Sequence, residues 1–268
     1  MNDLKSCLLS GLEVLTPYIE ELNAMNVFPV ADADTGNNLA RTLETVKDLD
    51  NSEIKSKLFL AGRGNSGNML ALFFRYWPEK LVSSEQLQSV LPAILEKFER
   101  YIPNLQHGTI YDVMTSWPRV IDASLDGFFS LWLKTAELSI ITGPDKLPIL
   151  EKYGTLDSGA IGLYYILYGI AKELGCQYRM KHFYVERAKR PLTSETTRYC
   201  VEALVETSLL ENQFKNQLKG LGDSLIFIYV NNMAKLHIHT NDWQIIREIC
   251  EKAGQILNWK VDDMQENK

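Results

Sequence analysis

Only four cysteines and four histidines occur in 268 residues. The cysteines (Cys7, Cys176, Cys200 and Cys250) are too few and too widely spread for a disulfide framework, so a reducing cytoplasmic setting is expected. An excess of basic charge is also missing: 28 Lys and Arg stand against 34 Asp and Glu, a formal net charge of −6. That balance argues against a dedicated nucleic-acid or anionic-membrane binder, because both need a basic field. Enough cations remain for a local phosphate site. No apolar run reaches bilayer length; "IGLYYILYGIA" and "DGFFSLWLKTAELSIITG" are too short or too interrupted, which predicts no membrane insertion. The opening "MNDLKSCLLSGLEVL" carries an acid and polar residues where a signal peptide would be apolar. Internal repeats and low-complexity tracts are absent.

What is present is ample core-forming mass, 46% hydrophobic residues. Up to about residue 178 the apolar spacing is helical. Leu4, Leu8, Leu12, Leu15, Ile19 and Leu22 fall at three- and four-residue steps along one stripe. The same character returns in "TGNNLARTLETVKDL", "SKLFLAGRGNSGNMLALFFRYW", "SSEQLQSVLPAILEKFERYI" and "DSGAIGLYYILYGIAKEL". Breaks are expected at Pro29, Pro78, Pro103, Pro144, Pro148 and Gly154. This predicts an all-α bundle of roughly six to eight helices. After a charged stretch with a proline the period changes. "YCVEALVE" and "MAKLHIHT" alternate, "SLIFIYV" is a short apolar run, and "SLLENQFKNQLKGLG" and "WQIIREICEKAG" are helical. With the closing "LNWKVDDM" the order is βαββαβ, a ferredoxin-like unit. Two domains are therefore expected, 1–190 and 191–268.

One turn concentrates polar residues. "NVFPVADADTGNN" places Asp32 and Asp34 two apart before a helix. Asp34 could be an N-cap, which leaves Asp32 unexplained. Two carboxylates at this spacing also suit Mg²⁺, a hard cation that takes oxygen ligands. "AGRGNSGNML" supplies Gly62, Gly64, Ser66 and Gly67 before an apolar helix, where bare N–H groups can hold phosphate oxygens. Close helix packing at small residues is the alternative, and no P-loop lysine follows. "GTLDSGAIGL" repeats the pattern with Asp157, Ser158 and Gly159, and "HGTIYDVM" offers His107, Gly108 and Thr109.

A second constellation lies in the βαββαβ unit. His237 and His239 are two apart on a strand and share one face. First and third strands of such a sheet are antiparallel neighbours, which brings Cys200 beside them. One thiolate and two imidazoles are zinc ligands. An open face of unconnected polar residues is the alternative. The fourth ligand is open between water, Glu202 and a partner chain.

In this order, on a helical background, the four turns resemble the ATP-binding domain of the dihydroxyacetone-kinase L-subunit family, and more closely the ATP-binding subunit of bacterial fatty-acid kinase. The likeness continues through "YCVEALVE", "LGDSLIF", "KLHIHTND" and "VDDM". It implies an all-α helical barrel of the L-subunit type followed by the ferredoxin-like domain, whose Cys and His-x-His site is similar in the family. It implies ATP binding with Mg²⁺ held by Asp32 and Asp34, which also carry catalysis. Asn26 would add a polar contact, Asn37 and Asn38 would lie near the phosphates, Ser66 and Gly67 would approach them, and Thr109 and Asp157 would line the pocket. Arg63 has two readings, phosphate neutralisation or a salt-bridge partner. The reaction implied is γ-phosphoryl transfer to a fatty-acid carboxylate presented by a carrier protein. A homodimer is a further option for assembly. Ala33 and Ala160 stand where the family usually has glycine, and alanine resists positive φ. The family's enzyme also has a further C-terminal, carrier-docking domain, and these 268 residues end where it would begin. The isolated chain is thus expected to bind nucleotide but to phosphorylate free fatty acid slowly or not at all. The alternatives are a regulatory nucleotide-binding homologue and a small-ketone kinase component of the dihydroxyacetone-kinase type.

Overall fold

The computed structural model describes residues 3–29, 31–102, 105–119, 124–184 and 197–264. The expected boundary near residue 190 and the break at Pro103 lie outside these residues. Two compact units are formed, one from residues 1–98 with 105–191 and the other from 99–104 with 192–268.

Among the described residues the first stretch holds eleven α-helices. They are α1 (Leu4–Leu15), α2 (Ile19–Met25), α3 (Thr35–Glu44), α4 (Asn51–Ala61), α5 (Gly64–Arg75), α6 (Ser84–Tyr101), α7 (Ile110–Thr115), α8 (Leu125–Ile141), α9 (Gly143–Lys146), α10 (Pro148–Tyr153) and α11 (Ser158–Glu173). The sequence predicts six to eight, and proline explains much of the difference. Pro17 breaks the first stripe into α1 and α2 through a 3₁₀ turn at Thr16–Tyr18, and Pro144 and Pro148 each sit in the first turn of a new short helix. Proline lacks the N–H that continues a helix but fits its first turn. Pro92, by contrast, is carried inside α6.

Helix α11 is the centre of this unit: thirteen of its sixteen residues are buried, as expected for a helix apolar on all sides. It crosses α1 at very short range. A Cβ on Gly169 would stand 2.4 Å from the Ser10 carbonyl oxygen, and the Ser10 hydroxyl donates to the Gly169 carbonyl at 2.8 Å. Phe73, Trp77, Phe128, Phe129 and Trp132 form an aromatic layer, with Trp77 and Trp132 stacked at 6.1 Å. No helix among the described residues is long and apolar enough to cross a membrane.

The second unit contains β1 (Tyr199–Thr207), α12 (Glu211–Leu218), β2 (Asp223–Val230), β3 (Met233–Thr240), α13 (Trp243–Ala253) and β4 (Gly254–Asp263). Its antiparallel sheet has the order β2-β3-β1-β4. The unit is the βαββαβ fold that the alternation predicts. Val201, Ala203, Val205, Phe227, Leu236 and Ile238 pack with Phe214, Leu218, Ile246 and Cys250 of the two helices. The opposite face carries Cys200, Glu202, His237 and His239. Register sets them as a block, Cys200 opposite His239 and Glu202 opposite His237.

Candidate functional site

In the first unit the four polar turns converge, joined by direct contacts. The carboxylate turn comes first. Asp32 and Asp34 are both half-buried, and between them Ala33 takes φ +59°, the left-handed region. Asp34 occupies the N-cap position of α3, yet its side chain makes no capping hydrogen bond. The capping is done from α2 instead. Asn26 Oδ1 accepts from the Asp34 N–H and Asn23 Oδ1 from the Asn37 N–H, each at 3.2 Å. Both asparagines are buried. The Asp34 carboxylate is therefore not committed to the helix it precedes.

Helix α3 then meets the glycine turn. Gly64 opens α5 at φ +56°, and a Cβ there would lie 2.4 Å from Asn38 Nδ2; a Cβ on Gly67 would lie 2.7 Å from Thr42 Oγ1. Ser66 and Gly67 fall in the first turn of α5, where backbone N–H groups lack intrahelical acceptors. Arg63 precedes them and is exposed. Ser66 in turn touches the late turn: a Cβ on Gly159 would lie 3.0 Å from Ser66 Oγ.

Asp157 links the remaining two. Its Oδ1 accepts from the Ala160 N–H at 2.7 Å, capping α11, and from the Ile110 N–H at 3.1 Å, at the start of α7. Burial pushes this carboxyl up to about 7, against the pull of those two N–H groups. Asp157 thus acts as a clamp between two helices. Thr109 caps α7, accepting from the Tyr111 N–H at 3.3 Å and donating to the Gln106 carbonyl at 2.7 Å. Gly108 before it has φ +82°, and a Cβ would strike the Gly143 carbonyl at 2.6 Å.

Buried Asp112 fixes this turn from below. It accepts from the Gly108 N–H at 3.0 Å and contacts Lys146 Nζ at 2.6 Å and His107 Nδ1 at 2.7 Å. Burial works against its charge, but Lys146, the Gly108 N–H and His107 together hold it below the usual carboxylate range. Asn23, Asp112 and Lys146 are contributors that the sequence reading missed. The available signals were the Asn23/Asn26 spacing at the end of α2 and a lone acid within "TIYDVM". Ala160 needs no positive φ, since it lies within α11; only Ala33 of the two glycine replacements is left-handed.

In the second unit Cys200, His237 and His239 offer ligand atoms that all lie within 4.8 Å of one another. Cys200 Sγ stands 3.7 Å from His237 Nδ1, and the imidazole rings are 4.8 Å apart. Both histidines are almost fully buried, and His237 Nε2 and His239 Nδ1 have no hydrogen-bond partner. Such orphaned nitrogens, beside a thiol, form a donor set that fits a zinc ion. Burial would raise the Cys200 thiol, but the imidazoles outweigh it and bring it down to about 7. Burial would lower His237, but Cys200 and Glu202 raise it to about 10. A cation held by this set would displace the protons of the thiol and the imidazoles.

Comparison with known proteins gives two family matches. A DAK2 domain matches residues 29–172, and a FakA-like fatty acid kinase middle domain matches residues 196–268. Protein YloV of Bacillus subtilis is 24% identical over 302 residues, covering 97% of this chain and 54% of that protein. An uncharacterized protein of Staphylococcus saprophyticus gives the same figures. One from Staphylococcus aureus is 23% identical over 298 residues with the same coverage. The chain spans about half the length of the curated relatives it matches.

Proposed function

Because the chain belongs to the DAK2 domain family and carries a FakA-like fatty acid kinase middle domain, we propose that it is the ATP-binding part of a phosphotransferase whose acceptor is a fatty-acid carboxylate presented by a carrier protein. The observation that carries this reading is the contact chain from Asn38 through Gly64 and Gly67, Ser66 and Gly159 to Asp157 and Ile110. It gathers four turns far apart in sequence around one locus.

Asp32 and Asp34 would hold Mg²⁺, Asp34 with a carboxylate not used for capping. Magnesium bound there would supply charge neutralisation for the phosphates. Asn23 and Asn26 keep the carboxylate turn in place through their backbone bonds to α3. The first-turn N–H groups of α5, with Ser66 and Gly67, are donors suited to phosphate oxygens. Asn37 and Asn38 would border the phosphates, and Thr109 with Asp157 would shape the far wall. Phosphoryl transfer depends mainly on positioning and charge neutralisation, so this site needs no protein nucleophile. In the second unit Cys200, His237 and His239 would hold Zn²⁺ in a stabilising role.

The test is acyl-phosphate formation from labelled ATP with a fatty acid, with and without a fatty-acid carrier protein and a separate docking domain. The proposal expects transfer that depends on the carrier. One observation favours a second reading, a nucleotide-binding regulatory homologue: Ala33 holds the metal-binding turn in a conformation that glycine adopts more readily. ATP binding with no transfer under any combination would select it. Transfer to dihydroxyacetone in place of a fatty acid would select a small-ketone kinase.

A further inference from the structure

We propose that Glu202 and Asp223 are positioning residues of the Cys200, His237 and His239 centre, each fixing one imidazole through Nδ1 so that Nε2 faces the cation. This rests on the metal assignment above. Sheet register puts Glu202 opposite His237 and Asp223 opposite His239. The distances are matched: Glu202 Oε1 lies 3.5 Å from His237 Nδ1, and Asp223 Oδ1 lies 3.5 Å from His239 Nδ1. Each is about 0.5 Å longer than an N–H···O bond, so a small ring rotation closes it. Thr197 Oγ1 donates to Asp223 Oδ2 at 3.2 Å, the oxygen other than the one nearest His239.

On His237 the other nitrogen supports this tautomer; on His239 it is Nδ1 that lacks a hydrogen-bond partner, and turning that ring onto Asp223 would satisfy it. His237 Nε2 is buried and has no hydrogen-bond partner, the condition of a nitrogen reserved for a ligand. Cys200 Sγ competes for His237 Nδ1 at 3.7 Å. With the Cys200 thiolate engaged as a ligand, Glu202 would be the acceptor for that N–H. Ligating histidines generally donate their second N–H to a carboxylate, which fixes the ring and raises its basicity. Glu202 has 16% side-chain exposure and Asp223 50%, so Glu202 exerts the larger effect.

The experiment uses the full chain, titrated with Zn²⁺ and Co²⁺ against a competing chelator. Cys200→Ser tests the metal assignment itself: if it binds as tightly as wild type, that assignment fails. With the assignment intact, Glu202→Ala and Asp223→Ala are expected to weaken zinc binding about 10- to 100-fold. Glu202→Gln and Asp223→Asn, which keep an acceptor, should recover part of the loss and remain testable if the alanine variants do not fold. Both pairs should retain the thiolate-to-cobalt absorption band. Imidazole ¹⁵N shifts of the zinc form should show protonated Nδ1 and metallated Nε2 on both rings. Unchanged affinity in all four variants, or a metallated Nδ1 on either ring, would overturn the proposal.

Discussion

Two alanines stand where the resembling family has glycine, and the fold gives them opposite characters. Ala33 has φ +59°, whereas Ala160 is in the first turn of α11 and is buried. Left-handed backbone costs an L-residue about 1–2 kcal/mol. Glycine relieves that but loses about 0.5–1 kcal/mol more conformational entropy on folding. Ala33→Gly should thus stabilise the helical unit by about 0.5–1 kcal/mol. For a unit of this size the melting temperature should rise by about 1–4 °C, at about 2–4 °C per kcal/mol. Ala160→Gly removes no strain. It loses about 1 kcal/mol of helix propensity and about 0.8 kcal/mol from one buried methyl, so melting should fall by several degrees. The assay is thermal unfolding of the full chain followed by helical circular dichroism, at fixed pH and protein concentration. Opposite signs for one chemical change are the expected signature. A loss of stability in Ala33→Gly would refute the strained-turn argument, as would a gain in Ala160→Gly.

Asp157 is raised to about 7 from an ordinary 3.8, so the folded state keeps a proton that the unfolded chain releases between those values. Its contribution is present below about pH 4 and is lost as pH rises through 7. Asp157→Asn keeps an oxygen for both N–H bonds and should flatten that segment of the stability–pH curve; an unchanged curve would refute the assignment. Asp34→Ala should alter stability by less than about 0.5 kcal/mol, because no cap is lost, while weakening Mg²⁺-dependent nucleotide binding. A loss nearer the typical 1 kcal/mol of an N-cap would mean the carboxylate caps α3 after all. A zinc chelator should lower the melting temperature of wild type and leave Cys200→Ser unaffected, since a ligand at 100 times its Kd contributes about 2.7 kcal/mol; equal sensitivity would remove Cys200 from the centre.

The alternation of "YCVEALVE" and "MAKLHIHT" was enough to predict strand faces, and topology then brought Cys200 beside both histidines. A period of two fixes which side chains share a face, and pairing order fixes which strands are neighbours. The helical unit was less legible because its details depend on contacts between distant residues. Nothing in "TLDSGA" shows that one Asp157 oxygen will serve Ile110, 47 residues earlier. The same holds for Asn23, which looks like a polar interruption of a helix stripe until α3 is seated against it. Sequence placed Ala33 and Ala160 in equivalent doubt. Only the backbone separates them, since one lies in a turn and the other inside a helix. Helix number was underestimated because the period survives Pro17 even though the hydrogen-bond ladder does not.

The proposed function requires that Asp32 and Asp34 make the helical unit a magnesium–nucleotide site. Calorimetric titration of ATP into the full chain, with Mg²⁺ and with a chelator in its place, tests it most directly when repeated on Asp32→Asn/Asp34→Asn. Wild type is expected to show Mg²⁺-dependent binding of about one ATP per chain, for a single site of this kind, and the double variant to lose the Mg²⁺-dependent part with its melting temperature little changed. No binding by wild type, or identical Mg²⁺-dependent binding by the folded double variant, would contradict it.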